Sequence, residues 1–166
     1  MQVGSLISLD FDTALLQVIE TNVNIRARVI SGGFVGSNKA ATIVNNPLIL
    51  PSLTKTDKAA FRLCKKLGIK NVALSFANRG EDIDELRAIV GKNISIIAKI
   101  ESRLALENLD KILDVSDAIL IDRGDLSREI ALESLPYIQK EIIYKANNCN
   151  LPVYVATNLL ETMTEN

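Results

Sequence analysis

Residues 94–125 read ISIIAKIESRLALENLDKILDVSDAILIDRGD and contain the clearest indication of the fold class. Two short aliphatic runs, 94–100 and 118–121, have the length and the β-branched content of buried strands. Leucine and isoleucine recur at helical spacing in the segment between them. A strand, a helix and a second strand in this order predict a right-handed βαβ unit with parallel strands.

The same alternation of strand and helix continues on both sides of this unit. The spacing predicts helices after Thr54, over residues 81–90, around Leu106–Leu113 and around Ile138–Ile143, and further strands over residues 71–76 and 153–156. Thr54-Lys55-Thr56-Asp57 resembles a capping box at the start of the first helix, with Asp in place of the usual Glu.

Four βα units fit either a (β/α)₈ barrel or an open doubly wound sheet. A complete barrel needs about 250 residues, whereas these units occupy only residues 54–166. We therefore predict an α/β protein with a partial (β/α)₈ (TIM-type) barrel of about four βα units.

Residues 1–36 have a different pattern, with short alternating runs over residues 4–11, 15–19 and 25–30. They predict a small antiparallel β segment that precedes the barrel units. Residues 37–53 contain Asn45-Asn46-Pro47 and Pro51, which are typical of a linker. The predicted division is thus 1–36, 37–53 and 54–166.

Composition excludes several classes of function. The chain has 166 residues, of which 48% are hydrophobic and 23% charged, so it is not intrinsically disordered. With no histidine and two cysteines, Ser–His–Asp hydrolysis, His-ligated zinc, haem and four-thiolate zinc are all excluded. Any metal must then be held by carboxylates, which favours Mg²⁺ or Mn²⁺.

Charge and hydropathy bear on partners and location. A net charge of −1 argues against a nucleic-acid partner. No apolar run reaches the roughly 18 residues of a membrane span, and residues 1–5 carry no basic leader. We therefore predict a cytoplasmic protein with no membrane contact.

Polar residues follow each predicted strand, at the edge where parallel α/β folds bind ligands. They are Ser75, then Lys99 and Glu101, then Arg123-Gly124-Asp125, and finally Thr157. Lys99 and Glu101 are two residues apart, so an extended chain points both to one face. Since neighbouring strands lie about 4.8 Å apart, Glu101 and Asp125 can chelate one hard cation with Lys99 alongside.

A simpler interpretation stays open at each of these positions. Lys99 and Glu101 fit an ordinary charged pair at a strand end, and Gly124-Asp125 fits a plain turn with an Asp cap. A helix that opened at Gly124 would instead present free N–H groups to an anion. Ser75 and Thr157 fit either hydroxyl donors to a ligand or turn residues.

The sequence resembles pyruvate kinase in a series of motifs that run in order along nearly the whole chain. The matching stretches are Ile7-Ser8-Leu9, residues 32–39 (GGFVGSNK), residues 50–57 (LPSLTKTD), Ala73-Leu74-Ser75-Phe76, Ile97-Ala98-Lys99-Ile100-Glu101, Arg123-Gly124-Asp125-Leu126 and residues 156–163 (ATNLLETM). The resemblance corresponds to the end of the small β lid domain (1–36) and about strands four to seven of the catalytic barrel.

The resemblance implies phosphoryl transfer between phosphoenolpyruvate and ADP in glycolysis, with pyruvate and ATP as products. It implies that Glu101 and Asp125 hold Mg²⁺ or Mn²⁺ and that Lys99 stabilises charge on the transferring phosphoryl group. It further implies that Gly124 and Asp125, with Arg123 beside them, bind the substrate carboxylate. Thr157 would lie near the enolate carbon, and Ser75 near the phosphate. K⁺ is implied too, although its site residues are not in this chain.

Some positions depart from the family pattern. Asp122 stands where the family has Ala before Arg-Gly-Asp, which adds negative charge beside an anion site, and Ser127 stands where it has Gly. Residues 42–45 replace the glycine-rich linker, and Asn78 lies near the place of an Arg. The first three barrel strands and the eighth have no counterpart here.

Three functional hypotheses therefore stay open. The first is an enzyme of pyruvate kinase type, and the second is a catalytically incomplete module that binds metal and a small carboxylate or a protein partner. The third is related enolate chemistry, such as aldol cleavage or decarboxylation. A four-stranded half-barrel also exposes two strand edges, so we expect a homo-oligomer or a partner that completes the barrel.

Overall fold

The computed structural model describes residues 1–10, 13–44 and 50–157. The chain forms two compact units, Met1–Leu50 and Pro51–Asn166. The partial barrel expected from the sequence is the second unit, and the antiparallel segment is the first. Within the described residues, no helix is both long enough and apolar enough to cross a membrane.

The first unit is a four-stranded antiparallel sheet. Its strands are β1 (Leu6–Leu9), β2 (Ala14–Thr21), β3 (Ile25–Ser31) and β4 (Ala41–Ile43), in the spatial order β3-β2-β1-β4. The strand predicted over residues 4–11 is shorter in the structure, and its predicted last residue, Phe11, lies outside the described residues.

The sheet has one strand more than the three that the sequence predicted. Strand β4 lies inside the stretch predicted as linker and pairs antiparallel with β1, with Ile7 opposite Ile43. Three residues are too few to give an alternating pattern that can be recognised in the sequence.

After β3, Gly33 passes so close to Thr13 that a Cβ atom would lie 2.2 Å from the Thr13 carbonyl oxygen. Only glycine fits there.

The second unit is a parallel sheet of four strands with helices between them. The elements are, in chain order, α1 (Lys55–Lys66), β5 (Asn71–Leu74), α2 (Gly80–Val90), β6 (Ser95–Ile100), α3 (Arg103–Glu107), α4 (Leu109–Val115), β7 (Ala118–Asp122), α5 (Arg123–Leu126), α6 (Leu135–Asn148) and β8 (Val153–Ala156). A 3₁₀ turn at Leu132–Ser134 precedes α6. The strand order β5-β6-β7-β8 follows the chain, as in a barrel.

The core of this unit lies between the sheet and its helices. Strand β6 alternates strictly, because Ile96, Ala98 and Ile100 are fully buried whereas Ser95, Ile97 and Lys99 are partly exposed. Buried side chains of α2 and α4, among them Ile83 and Ile112, pack in the same cluster. The alternation leaves Lys99 on the face that does not enter this core.

Two element boundaries in the second unit correct the sequence prediction. The single helix predicted around Leu106–Leu113 is two helices, α3 and α4, which meet at Asn108. The backbone of Asn108 leaves the helical region there, with φ of −106° and ψ of 14°, and its side chain donates to the Leu104 carbonyl oxygen at 2.9 Å. Strand β5 ends at Leu74 instead of Phe76, since Phe76 has a left-handed backbone with φ of 49°.

The capping box expected at Thr54 is present. The Thr54 hydroxyl accepts from the Asp57 N–H at 3.2 Å, and the Asp57 carboxylate accepts from the Thr54 N–H at 2.8 Å. Hydrogen bonds from the Thr54 side chain and backbone lower the pKa of Asp57 below its ordinary value. Helix α1 therefore has a defined first residue.

Removal of this cap provides a test of the local fold. We expect Thr54→Ala to lower the free energy of unfolding by about 1 kcal/mol, the usual cost of a lost N-cap. The control is Thr56→Ala, an exposed position in the first turn of the same helix, where alanine is the better helix former. Urea denaturation measures both. Equal stabilities of the two variants would contradict the role of the cap.

The cap also has a pH dependence. Because the pKa of Asp57 is lowered in the folded protein, its contribution to stability is present above the ordinary value of 3.8 and is lost as the pH falls through the lower folded value. We therefore expect the difference in free energy of unfolding between wild type and Thr54→Ala to shrink only when the pH falls below the ordinary pKa of Asp57.

Candidate metal and substrate site

The candidate site lies at the carboxyl ends of the four parallel strands. Lys99 is on β6, and Glu101 follows its last residue. Asp122 ends β7, and the short helix α5 begins immediately with Arg123-Gly124-Asp125. Thr157 follows the last residue of β8. Parallel pairing of β6 with β7 and of β7 with β8 brings these ends together at one edge.

Glu101 is the most deeply buried charged residue of this group. Its side chain is 1% exposed. One carboxylate oxygen accepts from the Phe76 N–H at 2.5 Å, and the other lies 2.5 Å from the Lys99 ammonium. The left-handed turn at Phe76 aims that N–H at Glu101, so the end of β5 helps to hold the carboxylate. A buried charge of this kind is tolerated only when it is paired and hydrogen-bonded.

Three carboxylates converge at the site. Glu101, Asp122 and Asp125 each offer one oxygen, and these oxygens all lie within 4.8 Å of one another. The structure thus brings together Glu101 and Asp125, the two predicted metal ligands, and adds Asp122 to them. Oxygen ligands at this spacing suit a hard divalent cation.

Lys99 lies between two of these carboxylates. Its ammonium is 2.5 Å from Glu101 and 3.3 Å from Asp122. Burial alone would lower the pKa of Lys99, but hydrogen bonds and charge interactions with Glu101 and Asp122 outweigh burial and raise it. Lys99 is consequently a firmly protonated cation at neutral pH.

Asp125 has its own cationic partner. It forms an ion pair with Arg128, three residues further along the chain. The Arg128 guanidinium also lies over the Phe76 ring, 5.9 Å from its centroid, which is within the range of a cation–π interaction. Arg128 thus contacts both Asp125 and Phe76.

Thr157 and Asp122 connect β8 to the turn after β7. The Gly124 N–H donates to the Thr157 hydroxyl oxygen at 2.8 Å, and that hydroxyl lies 2.8 Å from Asp122 Oδ1 and 2.8 Å from the Ala156 carbonyl oxygen. A Cβ atom on residue 124 would lie 3.1 Å from the Thr157 oxygen. A side chain at residue 124 would therefore press the Thr157 hydroxyl out of its place by a few tenths of an ångström.

The remaining predicted site residues have other surroundings. Arg123 donates to the Thr157 carbonyl oxygen at 3.2 Å and to Gln139 at 3.4 Å. Ser75 is exposed and lies directly before Phe76, and no hydrogen bond joins its side chain to the cluster within the described part of the chain. Lys99, Glu101, Gly124, Asp125 and Thr157 are thus brought together, whereas Ser75 has no hydrogen bond to them in this part of the chain.

Three contributors to the site are not among the residues predicted from the sequence. They are Asp122, which in the sequence is only a departure from a family pattern, and Phe76 and Arg128. Arg128 could have been found from its spacing of three residues after Asp125, which suits an ion pair within one helical turn. The backbone N–H of Phe76 carries no sequence signal, because any residue except proline has one.

The parallel strands in chain order, with charged side chains gathered at their carboxyl ends, define a partial barrel of the (β/α)₈ class. The family model described as "Pyruvate kinase, barrel domain" matches residues 1–166. The chain belongs to the pyruvate kinase family, as its sequence motifs predicted.

Individual relatives give the same result. The chain is 38% identical over 171 residues to the pyruvate kinase of Schizosaccharomyces pombe, covering 100% of this chain and 34% of the relative. It is 38% identical over 168 residues to that of Thermotoga maritima, covering 98% and 36%. It is 36% identical over 170 residues to that of Sporosarcina psychrophila, covering 98% and 29%. The chain therefore spans about a third of the length of these curated relatives.

Proposed function

We propose that this chain supplies the part of a pyruvate-kinase-type phosphotransferase that binds the metal and stabilises the phosphoryl group. The reaction is phosphoryl transfer between phosphoenolpyruvate and ADP. The observation that carries the proposal is the convergence of Glu101, Asp125 and Lys99 at one edge of the parallel sheet, in a chain that belongs to this family.

We assign the divalent cation, Mg²⁺ or Mn²⁺, to Glu101 and Asp125. The donor set fits such an ion, because hard cations prefer carboxylate oxygens and Mg²⁺ commonly uses one or two of them together with substrate oxygens. Burial of Glu101 supports the assignment, since a cation nearby offsets the cost of a buried carboxylate. When bound, the ion supplies positive charge to the oxygens of the transferring phosphoryl group.

The other residues have roles in positioning and electrostatics, which are most of what phosphoryl transfer requires. The raised pKa of Lys99 keeps its ammonium charged beside the phosphoryl oxygens. We assign Thr157 to the region of the enolate carbon, and the Gly124 and Asp125 N–H groups, with Arg123, to the substrate carboxylate. Ser75 is assigned to the phosphate. The K⁺ that the family resemblance implies has no assigned ligand in this chain.

A catalytically incomplete module is the second candidate function. It would bind the divalent cation and a small carboxylate, or a protein partner, without turnover. The observation that favours it is the internal pairing of the site: Lys99 contacts two carboxylates, and the Thr157 hydroxyl lies 2.8 Å from Asp122. A coupled assay of ATP formation from ADP and phosphoenolpyruvate separates the two candidates.

We also propose that a second copy of the chain or another partner covers the edges of the parallel sheet. Strands β5 and β8 each pair with one neighbour within the described residues, and an open parallel edge is prone to further pairing. A monomer that stays folded and unaggregated over a wide concentration range in sedimentation experiments would contradict this proposal.

Replacement of a proposed ligand tests the metal site directly. We expect Glu101→Gln to weaken Mn²⁺ binding by more than about tenfold. Removal of a residue that only hydrogen-bonds to a metal ligand already costs about tenfold or more in affinity, and loss of a ligand itself should cost more. Isothermal titration calorimetry measures the affinity. Glutamine has nearly the same shape and can still accept from the Phe76 N–H, so the fold should persist, as circular dichroism would show.

The matched control is Glu107→Gln, the same change at an exposed position at the end of α3. It should leave Mn²⁺ affinity unchanged. Binding that survives Glu101→Gln would remove Glu101 as a ligand and with it the kinase-type assignment.

A further inference from the structure

Arg128 is a largely buried cation that contacts two parts of the candidate site. Its guanidinium forms an ion pair with the Asp125 carboxylate and lies over the Phe76 ring, 5.9 Å from the ring centroid. The Arg128 side chain is 16% exposed and that of Asp125 24%, so solvent screens the pair only in part. A planar guanidinium can make both contacts at once, because it hydrogen-bonds through its edge and stacks through its face.

Phe76 is connected to both proposed metal ligands, by two different routes. Its backbone N–H donates to the Glu101 carboxylate at 2.5 Å. Its ring contacts Arg128, which in turn pairs with Asp125. Phe76 follows β5, whereas Glu101 follows β6 and Asp125 lies beyond β7. One residue after β5 is therefore connected to ligands that come from two other strands.

The backbone on both sides of Arg128 is held in place. Before it, the Ser127 hydroxyl donates to the Gly124 carbonyl oxygen at 2.7 Å. After it, the Glu129 carboxylate accepts from the Arg103 N–H at 2.8 Å, and the Glu129 carbonyl oxygen accepts from the Arg103 guanidinium at 2.8 Å. The long side chain of Arg128 therefore extends from a fixed base toward its two partners.

A metal ligand needs this kind of support. Mg²⁺ requires nearly ideal octahedral geometry, whereas an aspartate side chain can adopt several rotamers. Residues that hydrogen-bond to a ligand restrict its orientation, and their loss typically costs about tenfold or more in metal affinity. An ion pair of two flexible side chains is weak by itself, because both lose rotamer entropy. The ring of Phe76 reduces this cost by restricting the guanidinium.

We propose that Arg128 and the ring of Phe76 are a positioning pair for the metal site. The ring fixes the guanidinium, and the guanidinium fixes the Asp125 carboxylate in the orientation that binds the divalent cation. This inference rests on the proposed function, because it takes Asp125 as a ligand of that cation. Both members act through Asp125, so they are positioning residues and not catalytic ones.

A double-mutant cycle in Mn²⁺ affinity, measured by isothermal titration calorimetry, tests this pair. We expect Phe76→Leu to weaken Mn²⁺ binding by about threefold to tenfold, the strength of a partly shielded cation–π contact. Leucine keeps the backbone N–H that donates to Glu101. In the Arg128→Met background the same change should have almost no effect, because the ring then has no guanidinium to hold. Each comparison is made at constant charge, so repulsion between Arg128 and the metal ion does not enter it.

Two further variants control for loss of any ring and for general damage at position 76. Phe34→Leu makes the same change at a side chain that is 91% exposed and should leave Mn²⁺ affinity unchanged. Phe76→Tyr keeps an aromatic face for Arg128 and should keep the wild-type affinity. An equal loss from Phe76→Leu in both backgrounds would overturn the proposal, since the ring would then act without Arg128. An unchanged or higher affinity of Phe76→Leu in the wild-type background would overturn it as well.

A metal-free measurement separates failure of this inference from failure of the proposed function. Three-bond couplings in nuclear magnetic resonance report the side-chain rotamer of Asp125. We expect one dominant rotamer in wild type and averaged couplings in Phe76→Leu and in Arg128→Met. If wild type shows this rotamer but binds no Mn²⁺, the metal assignment fails and the positioning of Asp125 by the pair stands.

The same measurement carries the test if a variant does not fold, because wild type alone then decides. Averaged couplings of Asp125 in metal-free wild type would overturn the positioning pair whatever the Mn²⁺ titration shows. Couplings that stay unaveraged in folded Phe76→Leu and Arg128→Met would overturn it too, since Asp125 would then be held by other contacts.

Discussion

Replacing Lys99 with methionine is expected to lower the free energy of unfolding by about 3 kcal/mol, a typical cost of breaking a buried ion pair by removing one partner. The ammonium is the cation between Glu101 and Asp122, at 2.5 Å and 3.3 Å. Without it, the carboxylate of Glu101 stays buried and loses its cationic partner, while it still accepts from the Phe76 N–H at 2.5 Å. Urea denaturation of wild type and variant measures the difference.

A divalent cation should partly rescue this variant. Mg²⁺ bound between Glu101 and Asp125 would replace the missing positive charge, so we expect it to stabilise Lys99→Met more than it stabilises wild type. The matched control is Lys92→Met, the same substitution at an exposed position before β6, which should change little in either condition. Equal stability of Lys99→Met and Lys92→Met would contradict the structural role of Lys99.

The stabilisation by Lys99 should depend on pH only in the alkaline range. The pKa of Lys99 is raised in the folded protein, because Glu101 and Asp122 outweigh the opposing effect of burial. Its contribution is therefore fully present below the ordinary value of 10.5 and is lost as the pH rises through the higher folded value. The difference in free energy of unfolding between wild type and Lys99→Met should stay constant from about pH 7 to about pH 9, because this range lies below the ordinary pKa of lysine. A difference that vanished within this window would contradict the raised pKa.

Ile119→Ala is expected to have an effect of similar size by a different mechanism. Ile119 lies on the central strand β7 and is 0% exposed, and it belongs to the main hydrophobic cluster. Truncation removes buried methyl groups and leaves a cavity, which costs about 3 kcal/mol. Since single domains are stable by only about 5–15 kcal/mol, the urea midpoint should fall markedly.

The matched control for this prediction is Ile69→Ala. Ile69 is 42% exposed and lies between α1 and β5, so the same truncation there should cost much less. Equal free energies of unfolding for the two variants would contradict the packing of Ile119 between the sheet and its helices. They would also contradict the argument that this packing positions the strand ends of the candidate site.

Much of the fold could be predicted from the sequence because its signals are local. Aliphatic runs of strand length marked β5 to β8, and the Thr54–Asp57 capping box marked the start of α1. The same signals failed where the backbone departs locally from the pattern or where an element is very short. One predicted helix is two in the structure, because the backbone leaves the helical region at Asn108, with φ of −106° and ψ of 14°. Strand β4, with three residues, is too short to give a period.

The number of βα units and the charged residues that follow their strands could be predicted from the chain alone, because both depend on spacing along it. Which of those residues contact one another emerges only in the folded protein. The Asp122–Thr157 contact joins residues 35 apart, and the Phe76–Glu101 contact joins residues 25 apart. Such contacts depend on strand register and on side-chain direction at the strand ends, which spacing along the chain does not specify. For this reason the sequence shows Asp122 only as a departure from a motif, whereas the folded chain brings it into contact with Lys99 and Thr157.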